Sequence, residues 1–158
     1  MDISEALRRA YITAIGTLTV NGVNIPVFDE FVNPNTTIPV LKLTSNPNEA
    51  GPQVYVVIQD QQEVDGIQNF CSHRQNCSIT IRIVTKFNSS VGGKRYSEAV
   101  ADILNKKIKP TPRTHALIDG NGFYFQRVDK ELSRSYSEFA NNVTAVNKVI
   151  IYNNIVNQ

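Results

Sequence analysis

The segment "CSITIRIVTKF", Cys77 to Phe87, constrains the fold more than any other. Cys77, Ile79, Ile81, Ile83 and Phe87 share one parity, while Ser78, Thr80, Arg82 and Lys86 share the other, with Val84 the one exception. Side chains alternate across a β-strand, so this pattern predicts one face on a core and the other in water or against a partner. Upstream, "QVYVVIQD" carries four consecutive apolar residues, Tyr55 to Ile58, after Val54. That run predicts a strand buried on both faces or nearly so.

The flanking segments supply helices and turns. Asp2 followed by Glu5 has the spacing of a capping box, and Ile3, Leu7, Ala10 and Ala14 line one face of a helix ending near Gly16. Arg8 and Arg9 lie off that stripe. Asn21-Gly22 between apolar-rich runs predicts a type I′ hairpin, and Pro26, which lacks an amide donor, makes its second arm short or places it at an edge. From Phe31 to Pro52 the prolines at 34, 39, 47 and 52 interrupt the chain, leaving "IPVLKL" as a short strand inside a long surface connection.

Ser97 is expected to cap a second helix with Val100, Ile103, Leu104 and Ile108 on its apolar stripe, stopped by Pro110 and Pro112. After the "IDGNG" turn, "FYFQRV" opens a strand that continues raggedly through "KELSRSYSEF", and "VTAVNKVIIYNNIVNQ" reads as a terminal strand. The expected fold is α+β: a mixed, largely antiparallel sheet with two amphipathic helices on one face, plus a hairpin and a long loop. The whole chain, 1–158, is read as one domain. Its parts are a helix at 1–16, hairpin and loop at 17–53, core strands at 54–87, a helix at 97–109 and C-terminal strands at 122–157.

Composition narrows the function classes. Sixteen basic and fourteen acidic residues give a net charge of +2, too near neutral for a protein that coats nucleic acid. No apolar run approaches the roughly 18 residues of a membrane span. The N-terminus puts acidic residues before arginines, the wrong order for a secretory signal. A protein made in the cytoplasm and left unprocessed is therefore expected, with its cysteines reduced and no membrane partner.

The stretch "NFCSHRQNC" holds the strongest candidate for chemistry, with Cys71, His73 and Cys77 within seven residues. A structural zinc site wants four ligands, commonly as two close pairs, and the other histidine, His115, is far along the chain. A disulfide between the two cysteines is sterically open but disfavoured in a reducing compartment. His73 and Arg74 would lower a nearby thiol's pKa, yet no orienting third residue or oxyanion-hole loop accompanies them. The parity of Cys77 favours a small buried hydrophobe opening the strand. Asp60, Glu63 and Asp65 read as solvated residues of a polar loop, and the glycines of "VGG" and "GNG" lack the lysine and serine of a phosphate loop. Neither an enzyme nor a cofactor is expected.

The centre of the chain resembles the tail-completion and tail-terminator proteins of tailed bacteriophages. The resemblance rests on "PQVYVVIQDQQEVDG" followed by "NCSITIRIVTKFNSSVGGKRYSEAVADILNKKI". Pro52, Tyr55, Val56, Val57, Ile58, Gln62, Glu63 and Asp65 match the first part; Ile79, Ile81, Ile83, Thr85, Gly93, Ala99, Ile103 and Leu104 match the second. Residues 1–20 and 52–108 are covered, whereas the Asn- and Pro-rich connection at 31–51 and the long C-terminal strands depart from the compact members.

The resemblance implies a non-enzymatic ring subunit, a hexamer or dodecamer, in the head-to-tail connector or at the tail end of a virion assembled in the bacterial cytoplasm. Portal, adaptor or tail proteins would be its neighbours, and DNA would pass through the lumen without sequence-specific binding. Glu63, Asp65, His73, Arg74, Arg82 and Lys86 are the expected subunit contacts, and Lys94, Arg95, Lys106 and Lys107 the expected lumen-facing cations. The alternatives are a small nucleic-acid-binding or regulatory module and, beyond that, a metal or thiol enzyme using Cys71, His73 and Cys77.

Overall fold

Consecutive apolar residues flanked by polar ones, as at Val54–Ile58, bury both faces of a strand, and the sheet is built around that run. The computed structural model describes residues 3–66, 73–89 and 92–158. In chain order the elements are α1 (Ser4–Ile15), β1 (Leu18–Val20), β2 (Val23–Ile25), β3 (Val27–Asp29), β4 (Gln53–Asp65), β5 (Arg74–Phe87), α2 (Arg95–Ile108), β6 (Tyr124–Ala140) and β7 (Val143–Asn157). β1 and β2 form a small hairpin; the main sheet has the order β3-β4-β5-β7-β6, antiparallel throughout except for the parallel β3–β4 pair. The α+β class, with a mixed and mostly antiparallel sheet, is as the sequence predicts.

Both helices pack on the same face. Ile3, Leu7, Tyr11 and Ile15 of the first segment meet Val100, Leu104 and Ile108 of α2 over Val56, Ile58, Ile79, Ile81, Ile83, Ile150 and Tyr152. The β5 parity is therefore correct, and Cys77 is buried on this inner face at 2% exposure. Val84, the exception to the alternation, has a partner of its own. On the outer face Tyr55, Val57 and Val84 form a second cluster, roofed by Phe28, Val32 and Ile38 from β3 and the segment after it. The long connection thus buries the apolar residues that broke the pattern.

Asn21 and Gly22 both take positive φ, 48° and 80°, as a type I′ hairpin requires. Pro26 ends the short β2, and its carbonyl accepts the Val56 amide as the chain passes into β3. Asn141 and Asn142, also at positive φ, make the tight β6–β7 turn that the sequence reading did not identify.

Several boundaries differ from expectation. α1 is preceded by Ile3 in helical geometry with no side-chain cap; Asp2 lies outside the described residues, and Glu5 instead faces Arg9 one turn on, at 3.5 Å. α2 starts two residues early, at Arg95, and Ser97 is a buried first-turn residue whose hydroxyl donates back to the Lys94 carbonyl. "IPVLKL" is not a strand. Pro39 and Pro52 leave room only for a single bridge between Val40 and Gln53, and Leu41 plugs the core there, fully buried. β6 is one strand of 17 residues, carried past its polar stretch by pairing with β7 that resumes after register shifts at Phe125/Arg127 and Lys130/Leu132.

Asp60, Glu63 and Asp65 do not sit on a loop, because β4 continues through Asp65 and is held by pairing to β5, which begins at Arg74 rather than Cys77. Backbone pairing here overrides the low strand preference of "DQQEVD". A bulge between Ile58 and Gln61 shifts the alternation, so Gln61 and Glu63 take the inner side that Val56 and Ile58 occupy earlier.

Candidate assembly surfaces

The bulge matters because it turns polar residues towards α1. Gln61 Oε1 accepts two hydrogen bonds from the Arg8 guanidinium, at 2.8 and 3.2 Å, and Gln61 Nε2 donates to the Ser4 carbonyl at 2.9 Å. The same guanidinium pairs with Asp29 at 2.7 Å and Glu30 at 2.8 Å. Arg8, which lies off the apolar stripe, thus ties α1 to the end of β3 and the bulge of β4. Its pKa is raised, chiefly by the hydrogen bond to Glu30. No helical periodicity announces such a residue; its partners lie 21 to 53 positions away.

The six expected contact residues are split among three places. Glu63 is turned to the inner face, where its carboxylate accepts the Ser4 hydroxyl. Asp65, His73 and Arg74 lie together where β4 ends and β5 begins: His73 Nε2 is 3.6 Å from Asp65 Oδ1, and the Arg74 carbonyl accepts the Gly66 amide. Arg82 and Lys86 lie on the outer face of β5, Lys86 with its ammonium 5.4 Å from the centre of the Tyr55 ring. The Nε of Arg82 is buried without a hydrogen-bond partner among the described residues.

The four expected lumen cations do not form one patch. Lys94 and Arg95 stand at the N-terminal end of α2, and Lys106 and Lys107 in its last turn, about 16 Å along the axis. Lys106 is paired with Asp102 at 2.6 Å. The C-terminal pair complements the helix dipole, whereas Lys94 and Arg95 oppose it and are offset by Glu98 in the same turn.

The thiol candidates separate as well. Cys71 lies outside the described residues. Cys77 faces Glu63 across the β4–β5 ladder, and burial, with the Glu63 carboxylate beside it, pushes its thiol up to about 12. A thiol held protonated in this way is no nucleophile at neutral pH. Among the described residues no group of three His, Cys, Asp or Glu side chains could hold a metal ion, and no helix is long and apolar enough to cross a membrane.

The outer face offers a surface that composition did not reveal. Beyond the roofed cluster, the rows Thr80–Ile151–Leu132, Arg82–Val149–Arg134 and Val84–Asn147–Tyr136 run across β5, β7 and β6. Neither helix packs there, and Leu132 and Tyr136 are 38% and 37% exposed. Strand parity could have found these residues had the β6–β7 register been known; without it, "KELSRSYSEF" shows no stripe.

No protein-family model matches the chain. No curated protein matches it either. Among solved structures it is similar to a chain of the virion of a native gene transfer agent particle, 12% identical, over 96% of this chain and 90% of that one, with a TM-score of 0.49. That degree of likeness assigns no role, and the functional reading rests on the chain's own residues.

Proposed function

We propose that this chain is a structural, non-enzymatic virion protein of a tailed phage or phage-like particle, a subunit of a ring in the head-to-tail connector or at the tail end. The observation that carries the reading is the half-bare sheet. Both helices pack on the inner face, while on the outer face of β5, β7 and β6 neither helix covers Ile151, Leu132 or Tyr136, all at least partly exposed. Partly exposed apolar side chains on the face of a sheet that neither helix covers suit a protein that is finished by its neighbours.

The segments that carry the family resemblance, β4, β5 and α2, form the centre of this architecture. The protonated, buried Cys77 supports the non-enzymatic half of the proposal. Lys94 and Arg95 lie at the opposite end of α2 from Lys106 and Lys107, so the helix does not gather the four cations into one basic face. That arrangement suits a protein that DNA slides past.

Mass in solution together with negative-stain imaging tests the proposal. Rings with masses at integer multiples of the 17.6 kDa subunit are expected, alone or after mixing with portal or tail-tube assemblies of the same particle. A protein that stays monomeric in both settings and carries stoichiometric zinc overturns it.

A further inference from the structure

The longest strand of the sheet lies at its edge. β6 spans 17 residues and is hydrogen-bonded to β7 alone. Its first residues are guarded: the Phe125 amide donates to Asp119 Oδ1 and the Phe125 carbonyl is bonded to His115 Nε2, both at 2.8 Å. From Leu132 to Ala140, pairing with β7 runs without a bulge, bounded by a register shift after Lys130 and by the Asn141–Asn142 turn. No described residue pairs with the far side of this segment. Edge strands of such length are normally protected by charged side chains, proline, a bulge or a covering loop, and here the only charges are Arg134 and Glu138, of opposite sign. The stretch has no proline, bulge or covering loop among the described residues.

Its sequence, Leu-Ser-Arg-Ser-Tyr-Ser-Glu-Phe-Ala, is self-complementary when read against itself in the antiparallel sense. With Tyr136 opposite Tyr136 of a second copy, Arg134 faces Glu138 and Glu138 faces Arg134, so two opposite-charge pairs form at once. Leu132 then faces Ala140, Ser133 faces Phe139 and Ser135 faces Ser137. Tyr136 is also the midpoint of the bulge-free segment, so this register pairs all of it. Centring on residue 134 or 138 sets like charges against each other, and centring on 135 or 137 leaves both charges without a partner. The partly exposed outer-side residues, Leu132 and Tyr136, would carry the cross-strand rows of the outer face across the junction.

We propose that β6 pairs with β6 of a second copy of this chain across a twofold axis through Tyr136, joining two five-stranded sheets into one. The contact is isologous and closes on itself. It goes beyond the ring reading: it is a separate surface, able to join two rings face to face or to hold two free subunits together.

The test uses the full chain carrying Cys71→Ser, which leaves only the buried Cys77. Tyr136→Cys places two thiols across the axis at the Cα separation of directly opposed strand residues, within disulfide range. Under mild oxidation it is expected to cross-link to a dimer, whereas Ser133→Cys, whose copies lie far apart in this register, does not. Arg134→Glu weakens self-association at least tenfold, and Arg134→Glu with Glu138→Arg restores it; circular dichroism checks that each variant is folded. A chain that sediments as a monomer at every concentration overturns the proposal. So does an oligomer that fails to cross-link through Cys at 136, an outcome that leaves the ring reading standing. Cross-linked dimers without rings would do the reverse.

Discussion

The Tyr11 hydroxyl donates to Asn154 Oδ1 at 2.8 Å, joining the first helix to the last strand across 143 positions of sequence. Asn154 is 1% exposed, and its amide nitrogen donates to the carbonyls of Cys77 and Tyr152, at 3.2 and 3.3 Å. The Tyr11 and Tyr152 rings lie 5.8 Å apart, and Tyr152 donates onward to Asn105 of α2 at 2.7 Å. One buried polar chain therefore links α1, β5, β7 and α2, and fixes how both helices sit on the sheet.

Cutting this chain should be costly, because a buried acceptor left without its donor keeps its full desolvation penalty. Tyr11→Phe is expected to lower the unfolding free energy by about 1–2 kcal/mol. Asn154→Ala, which strips several bonds and opens space, should lower it by about 2–4 kcal/mol. The double variant should lose less than the sum, since both changes break the same bond. Urea unfolding of the three proteins checks the order and the non-additivity.

Neither Tyr11 nor Asn154 stands out in the sequence. The helix stripe of Ile3, Leu7, Ala10 and Ala14 was legible because 3.6-residue periodicity is local. Tyr11 lies beside that stripe, and its burial depends on a strand near the other end of the chain. The same division holds elsewhere. The alternation of β5 and the Asn21-Gly22 turn are written in neighbouring residues and could be read. The bulge that turns Gln61 and Glu63 towards α1, and the register that lines Leu132 and Tyr136 beside Ile151 and Asn147, arise only from long-range pairing. Of the expected contact residues, only those on the outer parity of β5, Arg82 and Lys86, could be placed by local pattern. Asp65, His73 and Arg74 meet because β4 and β5 run longer than their apolar segments.

Glu49 gives a pH-dependent prediction. Its carboxylate accepts the Leu43 and Thr44 amides and the Thr44 and Tyr96 hydroxyls, pinning the loop after Leu41 to α2. Those bonds, the Thr44 hydroxyl foremost, lower its pKa from 4.5 to about 2. An acid whose folded pKa is depressed stabilises the fold above its unfolded value, and that contribution is lost as the pH falls through the folded one. The melting temperature should therefore drop between pH 4.5 and 2, and Glu49→Gln should lie lower at pH 7 with a flatter acid limb. An identical acid limb in the two proteins would show that Glu49 is not the group responsible.

Cys77 gives the opposite slope at the alkaline end. In the unfolded chain its thiol ionises near 9.0, but in the folded chain it stays protonated to about 12. The folded state thus binds a proton that the unfolded state has released, so stability falls as the pH rises from 9 towards 12. Tyr11 and Tyr152, whose hydroxyls are also pushed up by burial, add to the same fall above their ordinary value of 10.0. In the Cys71→Ser chain, a thiol reagent at pH 8 should label Cys77 only at the rate at which the sheet opens, and at once in denaturant. Replacing Cys77 by Ala should flatten the first part of the alkaline decline and leave the tyrosine part in place. Rapid labelling of the folded chain, by contrast, would mean an exposed, ionised thiol. The buried-hydrophobe role of Cys77 would then be wrong, and thiol chemistry at the start of β5 would return as a live reading.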